Sequence, residues 1–333
     1  MNKKYVAVFF GAAALIAVSG ILFFHGEREK EPTYCLRYAD NQPEDYPTVQ
    51  AGKYFADLVE QETKGDVKIY IYPSEQLGDE SSVIRQVQFG GIDMARVSAA
   101  QLIIYEPMMS VLTLPYLYRD AEHMWKVLDN EIGEGFLNSV GDSGITALSW
   151  FDAGERNFYT RKKVSSLEDF KDLKIRVQQA PFMEDLVRAL GAVPESVPYS
   201  MVYARLSTGS VDGAENNWPS YRTSRHDQVA GYVLLDRHVR IPELQIMSRK
   251  TEETLPEEYK NIIRECAKKA GEYERKLWKK REEQDRKAAE EEGCIVTELS
   301  KLEREKFYRA CEPLYEKYAG DYMDLVQEIQ NIK

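Results

Sequence analysis

The chain has 333 residues, which is enough for two lobes of ordinary domain size around a sizeable core. Its formal net charge of −11 argues against nucleic acid as a partner, because phosphate binding needs a basic surface. The four cysteines show no CxxC spacing, so neither a disulfide framework nor a zinc site is expected, although one pair among Cys266, Cys294 and Cys311 could form in an oxidising compartment.

The first element is an uncharged, largely apolar segment over residues 5–24, preceded by Lys3 and Lys4. Its length matches the roughly 20 residues that span a bilayer and exceeds the apolar core of about 7–15 residues in a secretory signal. The best cleavage candidate, Val18-Ser19-Gly20, is followed by four large apolar residues, an unfavourable mature terminus. We therefore predict an extracytoplasmic protein, in the periplasm or on the outer face of the cytoplasmic membrane, with residues 1–25 as its anchor. The alternative, a cleaved signal peptide, also exports the protein.

After a charged linker at residues 26–33, short apolar strands alternate with amphipathic helices, which is typical of an α/β fold. The apolar positions predict a helix, a strand, a helix and a strand at residues 51–59, 67–71, 83–87 and 92–97. Glycines are expected to end the two helices, at Gly65 and Gly90. Because a strand–helix–strand unit needs a crossover connection, we expect its two strands to be parallel in one sheet.

The same alternation restarts in the second half of the chain. A buried strand at residues 144–151 leads into Gly154. Beyond it, Ser165 or Ser166 can cap a short helix, a strand covers Lys174–Val177, and an apolar helix face follows up to Gly191. Two α/β units on either side of about residue 154 indicate two lobes with a cleft between them.

From Pro256 onward the pattern is that of a long helix. Its apolar stripe comprises Ile262, Cys266, Ala270, Tyr273 and Leu277. The segment 268–292 is dense in charges of both signs, which is typical of a solvated helix face.

No local motif indicates catalysis. The sequence contains no HExxH, GxSxG, GxxxxGK[ST] or GxGxxG, and only four histidines. Acid–base carboxylates carry no local signature, however, so a lyase or hydrolase acting on acidic sugars through Glu75 and Glu215 is kept as the alternative from a different class.

Five segments stand out together. The first half contains Tyr-Pro-Ser-Glu-Gln-Leu-Gly at 72–78 and Gly-Gly-Ile-Asp-Met-Ala at 90–95. The second half contains Gly-Glu-Arg-Asn-Phe at 154–158, Leu-Lys-Ile-Arg-Val-Gln at 173–178, and a stretch at 191–217 that ends in Val-Asp-Gly-Ala-Glu-Asn-Asn. In combination they closely resemble the solute-binding subunits of tripartite ATP-independent periplasmic (TRAP) transporters. The resemblance extends from Tyr34 to the C-terminus.

The resemblance implies a two-lobed, periplasmic-binding-protein-like fold, in which the cleft closes by a hinge motion and long C-terminal helices brace both lobes. On this basis we assign residues 34–153, completed by part of 244–333, to lobe I, and 154–243 to lobe II. Residues 252–333 supply the bracing helices. It also implies a protein that catalyses nothing, needs no cofactor or metal, and delivers a small carboxylate-bearing solute to membrane permease subunits for ion-gradient-driven import.

Arg176 is the residue that the resemblance places on the ligand carboxylate. It lies in an otherwise apolar strand, where an unpaired guanidinium is costly, and its planar fork matches a carboxylate in two-point geometry. A buried ion pair within the lobe is the structural alternative. Arg156 occupies the family's position for a second cationic contact, with an exposed strand-end arginine as its alternative.

The remaining predicted ligand contacts are polar or aromatic side chains. Asn216 matches a ligand-contacting asparagine of the family, and Tyr199 a position for an aromatic side chain, although a core role for Tyr199 is equally open. Gln178, where many relatives have Pro, could reach a sugar hydroxyl or face solvent. Hydrogen bonds to a polyhydroxylated ring could also come from Glu80, and an aromatic face from Trp218. Met201 departs from the family's usual Glu, on a helix face away from these contacts.

The segments 216–221 and 238–243 look like those of hexuronate-binding members of the family. A sugar acid such as a hexuronate is therefore the favoured solute. A C4-dicarboxylate, which would need a second cation such as Arg156, is the alternative.

Overall fold

The computed structural model describes residues 31–333. The predicted anchor over residues 5–24 and most of the predicted linker therefore lie outside the described residues. Across residues 31–333, no helix combines the length and the apolarity needed to cross a membrane.

Two mixed β-sheets form the frame of the protein. The strands in chain order are β1 (Tyr34–Ala39), β2 (Val67–Tyr72), β3 (Met94–Ser98), β4 (Ile145–Phe151), β5 (Arg156–Thr160), β6 (Lys174–Val177), β7 (Val193–Ser196), β8 (Gly213–Asn216), β9 (Tyr232–Val239), β10 (Glu243–Ser248) and β11 (Ile295–Glu298). Sheet I has the order β2-β1-β3-β10-β4, and sheet II has the order β11-β9-β5-β8-β6-β7. Each sheet is the centre of one lobe.

Strand direction follows from the connections. In sheet I, β1 pairs in parallel with both β2 and β3, which confirms that the two strands of the predicted crossover unit are parallel in one sheet. β10 enters sheet I from the other lobe and runs antiparallel to β3 and β4. In sheet II, β6 is parallel to β7 and β8, whereas β5 is antiparallel to β8 and β9.

The helices cover the faces of the sheets. In chain order they are α1 (Pro47–Glu62), α2 (Glu80–Phe89), α3 (Ala99–Leu102), α4 (Ala121–Leu128), α5 (Glu131–Ser139), α6 (Pro181–Ala189), α7 (Val202–Thr208), α8 (Trp218–Thr223), α9 (Arg249–Thr254), α10 (Glu257–Glu291), α11 (Lys301–Cys311), α12 (Pro313–Ala319) and α13 (Met323–Asn331). Short 3-10 helices cover Pro107–Thr113, Val140–Ser143, Leu167–Phe170, Tyr199–Met201, His226–Gln228 and Gly320–Tyr322.

Local sequence signals set several of these boundaries. α2 begins where the Asp79 side chain accepts a hydrogen bond from the Ser82 N–H, and it ends at Gly90, which has the left-handed backbone that a glycine adopts without steric cost. The predicted cap of the short helix after β5 is Ser166, which forms a reciprocal capping box with Asp169.

Two extended segments and one helix connect the lobes. The chain passes from sheet I to sheet II between β4 and β5, and returns between β9 and β10. The 35-residue helix α10 then packs on α1 and β4 in lobe I and on α8 in lobe II. It leads into β11, which pairs in parallel with β9. This strand is not among the predicted elements. The C-terminal region therefore contributes a strand to sheet II as well as bracing both lobes.

The core runs through both lobes. One cluster joins side chains around α2 and the 3-10 helix Pro107–Thr113 to sheet II, through Phe307 of α11 and Val326 of α13. The buried residues of α10 include Cys266 and Ala270 of the predicted stripe, together with Ile263, Ala267, Gly271, Glu274, Trp278 and Ala289. The predicted stripe therefore lies partly on the flank of the buried face. The four cysteines are free in the structure.

Candidate functional site

A polar cavity lies between the two lobes. It encloses about 480 Å3, counting its open mouth. Lobe I contributes Asn41, Gln42, Glu75, Asp79, Glu80, Arg96 and Gln101, and lobe II contributes Arg156, Arg176, Gln178, Gln179, Tyr199, Asn216, Asn217 and Ser220. Glu243, which also lines the cavity, lies at the boundary of the lobes as the first residue of β10. Six of the seven predicted ligand-binding residues therefore lie in one cavity, although they are spread over more than 130 positions of sequence.

Arg176 lies on β6, and its side chain is buried, with 3 % of the residue exposed. Its Nε and Nη2 both donate to the carbonyl oxygen of Val197, at 3.1 and 2.9 Å. Among residues 31–333 it makes no ion pair, so the buried pair that was its structural alternative is not seen. Burial lowers the pKa of the Arg176 guanidinium, and the nearby Glu215 carboxylate offsets this only in part. The cavity thus contains a desolvated cation whose Nη1 has no hydrogen-bond acceptor among the described residues.

Arg156, at the start of β5, also lines the cavity but differs in its partners. Its Nε and Nη2 bind the carboxylate of Glu215 in two-point geometry, at 2.5 and 2.9 Å. Burial opposes ionisation of Glu215, but Arg156 and His238 outweigh it and lower the pKa of Glu215 to about 2. Arg156 is therefore neither an exposed strand-end arginine nor an uncompensated second cation. Its charge is already balanced by the protein.

Behind this pair lies a chain of charged groups inside sheet II. His238 Nδ1 and Asp236 Oδ2 are 2.8 Å apart, and His238 Nε2 lies 3.5 Å from Glu215 Oε2. Burial disfavours the imidazolium, but the two carboxylates outweigh it and raise the pKa of His238 to about 9. The ring stacks on Phe158. The network Arg156–Glu215–His238–Asp236 holds the Arg156 fork against the cavity wall.

On the lobe I side, Arg96 of β3 is held by two carboxylates. It pairs with Asp40 at 2.5 Å and with Glu243 at 3.0 Å, and it also donates to Asn41. Burial raises the pKa of Glu243 to about 7, even against the attraction of Arg96. One oxygen of Glu243, Oε2, is buried without a hydrogen-bond partner among the described residues.

Several side chains in the cavity can bind hydroxyl groups. Glu80 accepts hydrogen bonds from the Ser98 N–H at 2.5 Å and from Asn41 Nδ2 at 3.2 Å, and burial raises its pKa. Gln178 Nε2 is buried and has no partner within the described chain. The Asn216 Oδ1 accepts the Asn217 N–H, which directs the amide of Asn216 at the end of β8. The carboxylate of Glu80 and the amides of Gln178 and Asn216 therefore all line the cavity.

The two predicted aromatic contacts differ. Tyr199 lines the cavity, with its hydroxyl 2.7 Å from Ser224 Oγ and its ring 5.9 Å from the Arg176 guanidinium carbon. Trp218 is not among the residues that line it. Its ring packs in a separate cluster against Tyr221, because it is the first residue of α8 and faces the helix–sheet interface. The predicted aromatic face for a sugar ring is therefore not supplied by Trp218.

The lobes touch at the rim of the cavity. The Tyr46 hydroxyl of lobe I lies 3.2 Å from Asn217 Oδ1 and 2.8 Å from Ser220 Oγ of lobe II. Glu75 Oε1 accepts a hydrogen bond from the Ser200 N–H at 3.3 Å. These contacts join the two lobes beside the cavity.

The two carboxylates considered for catalysis, Glu75 and Glu215, do not both face the cavity. Glu75 lines the cavity, but Glu215 lies behind Arg156 with no exposed surface. Its pKa of about 2 leaves it ionised and already fully engaged. It cannot serve as a general acid for a ligand in the cavity.

Arg96, Glu243 and His238 belong to this site although they are not among the predicted ligand contacts. Arg96 follows the motif at residues 90–95 directly, and an arginine between apolar residues of a short strand is the same signal that singled out Arg176. Glu243 and His238 are the two ends of the segment 238–243, whose resemblance to hexuronate-binding members is the one sequence signal for them.

Comparison with known proteins places this site in a family. Residues 38–321 match the model of the bacterial extracellular solute-binding proteins, family 7. An uncharacterised protein, YiiZ, of Salmonella typhimurium is 33% identical over 98% of both chains. The sialic acid-binding periplasmic protein SiaP of Vibrio cholerae is 28% identical over 80% of this chain and 83% of its own.

Two solved structures share this fold over most of the chain. A TRAP periplasmic solute-binding protein from Bradyrhizobium, in complex with D-galacturonate, is 39% identical with a TM-score of 0.86, covering 89% of this chain and 99% of its own. One from Pseudomonas putida F1, with bound D-glucuronate, is 34% identical with a TM-score of 0.87, covering 90% and 97%. The chain therefore belongs to the bacterial extracellular solute-binding proteins of family 7, the solute-binding subunits of TRAP transporters.

Proposed function

We propose that this protein captures a hexuronate, such as D-glucuronate or D-galacturonate, outside the cytoplasm. The observation that carries the proposal is the buried Arg176 guanidinium, which lines the cavity without any carboxylate partner in the described chain. Arg156 and Arg96 are paired with carboxylates of the protein, whereas Arg176 is not. The carboxylate of a ligand supplies the partner that Arg176 lacks. Relatives with bound galacturonate and glucuronate support this choice of ligand.

The charges favour a sugar acid over a dicarboxylate. A dicarboxylate needs a second uncompensated cation, but Arg156 is paired with Glu215 and Arg96 with Asp40 and Glu243. A second ligand carboxylate would also face Glu80 and Glu243 at short range. Ring hydroxyls suit this wall better, because they can donate to Glu80 and to the unpartnered oxygen of Glu243 and accept from Gln178.

Delivery follows from closure of the lobes. Lobe I (34–153 with part of 244–333) and lobe II (154–243) close on the ligand through the segments that join β4 to β5 and β9 to β10. In the closed cleft, the Arg176–carboxylate pair acts in a lower dielectric than at a surface. The loaded protein then docks on the membrane permease subunits of its transporter, which import the ligand with an ion gradient.

The protein returns its ligand unchanged. Glu215, one of the two carboxylates considered for acid–base chemistry, is held behind Arg156 and does not reach the ligand. Mass spectrometry after prolonged incubation with D-glucuronate checks this, and accumulation of a product would contradict it.

The N-terminal segment tethers the protein to the membrane. This rests on the uncharged run at residues 5–24 and its poor cleavage site. Mass spectrometry of the native N-terminus decides the point: a mature chain that begins near Ile21 or later would leave a secreted protein instead.

Calorimetric titration tests the ligand directly. We expect tight binding of D-glucuronate or D-galacturonate, and weaker binding of succinate and malate. D-glucose and D-galactose, which have the ring but no carboxylate, should not bind measurably, because they leave Arg176 unpaired. Binding of the neutral hexoses or preference for the dicarboxylates would contradict the proposed ligand class. A hundredfold excess of ligand over Kd should stabilise the fold by about 2.7 kcal/mol.

A further inference from the structure

A second cavity lies on the other side of the segments that join the lobes. It measures about 610 Å3 with its mouth, and it shares no lining residue with the ligand cavity. Its walls include Glu155, next to Arg156, and Val239 with Arg240 at the β9–β10 crossing. Because successive side chains of an extended segment point to opposite faces, Arg156 faces the ligand while Glu155 faces this second cavity. We call it the rear cavity.

The rear cavity carries an excess of positive charge in an acidic protein. Four arginines line it, Arg119, Arg237, Arg240 and Arg304, against the two carboxylates of Asp120 and Glu155. Arg237 pairs with Glu155 at 3.1 Å and Arg240 with Asp152 at 2.7 Å.

The other two arginines have no carboxylate partner in the described chain. The Arg119 guanidinium donates to the backbone carbonyls of Gln330 and Ile332. Arg304, half-buried on α11, makes no side-chain hydrogen bond or ion pair within residues 31–333. Arg304 therefore borders the rear cavity without a partner in the described chain, and Arg119, whose side chain is exposed, is held there by backbone carbonyls alone.

Unpartnered donors line the same cavity. The hydroxyls of Tyr116 and Tyr118 and the Nε of Arg240 are buried without an acceptor among the described residues. Arg240 is 8 % exposed, so its Nε cannot be satisfied simply by projecting into bulk solvent. Burial raises the pKa of both tyrosines, so their hydroxyls stay protonated and act as donors. Leaving such groups unpaired costs about 1–3 kcal/mol each, and an acceptor in the cavity removes this cost.

We propose that the rear cavity binds a small oxyanion, of the size and charge of inorganic phosphate or sulfate. Arg304 and Arg119 supply positive charge with no carboxylate partner among the described residues, and the Tyr116 and Tyr118 hydroxyls with Arg240 Nε are unpartnered donors on residues that line the cavity. An oxyanion presents several acceptor oxygens around one centre, which suits donors that approach from different walls. Chloride offers the charge without these directed acceptors, so it is the natural comparison ion.

Thermal melts of the full-length protein test the proposal. Sodium phosphate is titrated against sodium chloride at matched ionic strength, with no sugar acid present. We expect phosphate to raise the Tm well beyond chloride. Arg304→Gln should weaken phosphate binding about tenfold or more, since one charge-assisted contact is lost. Arg309→Gln is the matched control, because Arg309 lies on the same helix and pairs only with Glu305.

Arg304→Gln is expected to fold normally, because the Arg304 side chain has no partner to lose. Tyr118→Phe provides a second test that removes only a hydroxyl, and it should weaken phosphate binding too. Phosphate could also bind at Arg176, so the titration is repeated in Arg176→Met, where the phosphate effect should persist. The proposal is overturned if phosphate acts no differently from chloride, if Arg304→Gln and Arg309→Gln respond alike, or if the effect disappears in Arg176→Met.

Discussion

Arg176 shows how one residue can serve binding at the expense of stability. Its guanidinium is buried against only a backbone carbonyl, so the empty protein carries an uncompensated cation. Arg176→Met keeps the approximate length of the side chain and removes the charge. We expect affinity for the hexuronate to fall by about two to four decades, because the bound carboxylate loses a partner worth roughly 3–5 kcal/mol. The Tm of the empty protein should stay the same or rise.

Calorimetric titration beside a thermal melt of the empty protein measures both effects. Arg176→Lys should recover only part of the affinity, since an ammonium group cannot make two parallel hydrogen bonds. Arg188→Met, a surface arginine of α6 paired with Glu184 and Asp185, is the control and should bind normally. Unchanged affinity in Arg176→Met would refute the assignment.

Arg156 should give the opposite result to Arg176. Its removal leaves Glu215 buried and ionised without its main cation. Arg156→Ala is therefore expected to cost about 3–5 kcal/mol of unfolding free energy in the empty protein. Arg156→Lys keeps the charge and should retain measurable hexuronate affinity, with a smaller loss of stability. Urea unfolding of both variants checks this, and an Arg156→Ala protein as stable as wild type would contradict the structural role of the pair.

For single residues, the sequence alone could predict that Arg176 is a buried cation, but not which groups it contacts. An arginine within the apolar strand at residues 174–177 indicates a buried charge wherever it occurs. Whether that charge meets a ligand or a carboxylate depends on contacts between distant segments, such as Arg156 with Glu215. The segment 216–221, which resembles that of hexuronate-binding members, suggests Trp218 as an aromatic face for the ligand. The turn into α8 instead directs its ring into the core.

Three neighbouring strands of sheet II share one titrating network. Asp236 and His238 of β9, Glu215 of β8 and Arg156 of β5 form it. The pKa of His238 is raised from its usual 6.5 to about 9, so the folded state holds a proton that the unfolded state releases. Its contribution to stability is complete below about pH 6.5 and is lost as the pH rises through 9.

Urea unfolding at pH 7 and pH 9 should show this loss. We expect His238→Gln to be less stable than wild type at pH 7 but to lose less between the two pH values, by roughly 2–3 kcal/mol. His123→Gln is the control, because burial lowers the pKa of His123 and the fold therefore does not stabilise its imidazolium. Parallel decline in wild type and His238→Gln would show that His238 is not protonated in the fold.

Helix α10 approaches sheet I at a glycine. A Cβ at Gly271 would lie 2.7 Å from the Trp150 carbonyl oxygen on β4, which is closer than real side chains come to backbone. Gly271→Ala should therefore separate helix from strand and lower the unfolding free energy by about 1–3 kcal/mol. Gly135→Ala in α5 is the matched control, because nothing lies within 4 Å of its Cβ. There the usual gain of roughly 0.5–1 kcal/mol for Ala over Gly in a helix should appear. Equal effects of the two substitutions in urea unfolding would contradict close packing at Gly271.

Helices and strands with clear periodicity were predictable, whereas short strands that depend on distant partners were not. The strand at Lys174–Val177 and the stop at Gly90 follow from local pattern and backbone preference. β11 has four residues, and only the last, Glu298, is charged. The strand forms because α10 ends beside β9, with which β11 pairs. This pairing with a distant strand cannot be predicted from the local sequence.

At the scale of the whole molecule, ligand binding and lobe closure use different groups. Arg176 and the hydroxyl-binding side chains lie inside the cavity, while Tyr46 joins the lobes at its rim. The Tyr46 ring packs edge-on against Trp278 of α10, the helix that spans both lobes. The hydroxyl of Tyr46 can therefore stabilise the closed form without making any contact with the ligand.

Tyr46→Phe removes that hydroxyl and keeps the ring. Losing a buried hydrogen bond of about 0.5–1.5 kcal/mol should shift the population toward the open form and weaken hexuronate affinity roughly three- to tenfold. Small-angle X-ray scattering at subsaturating hexuronate should show a larger mean radius of gyration than wild type, and saturating ligand should restore the closed value. Tyr70→Phe, at an exposed tyrosine of β2, is the control and should match wild type. If Tyr46→Phe bound and closed as wild type does, the rim contact would contribute nothing to closure, and the ligand alone would hold the lobes together.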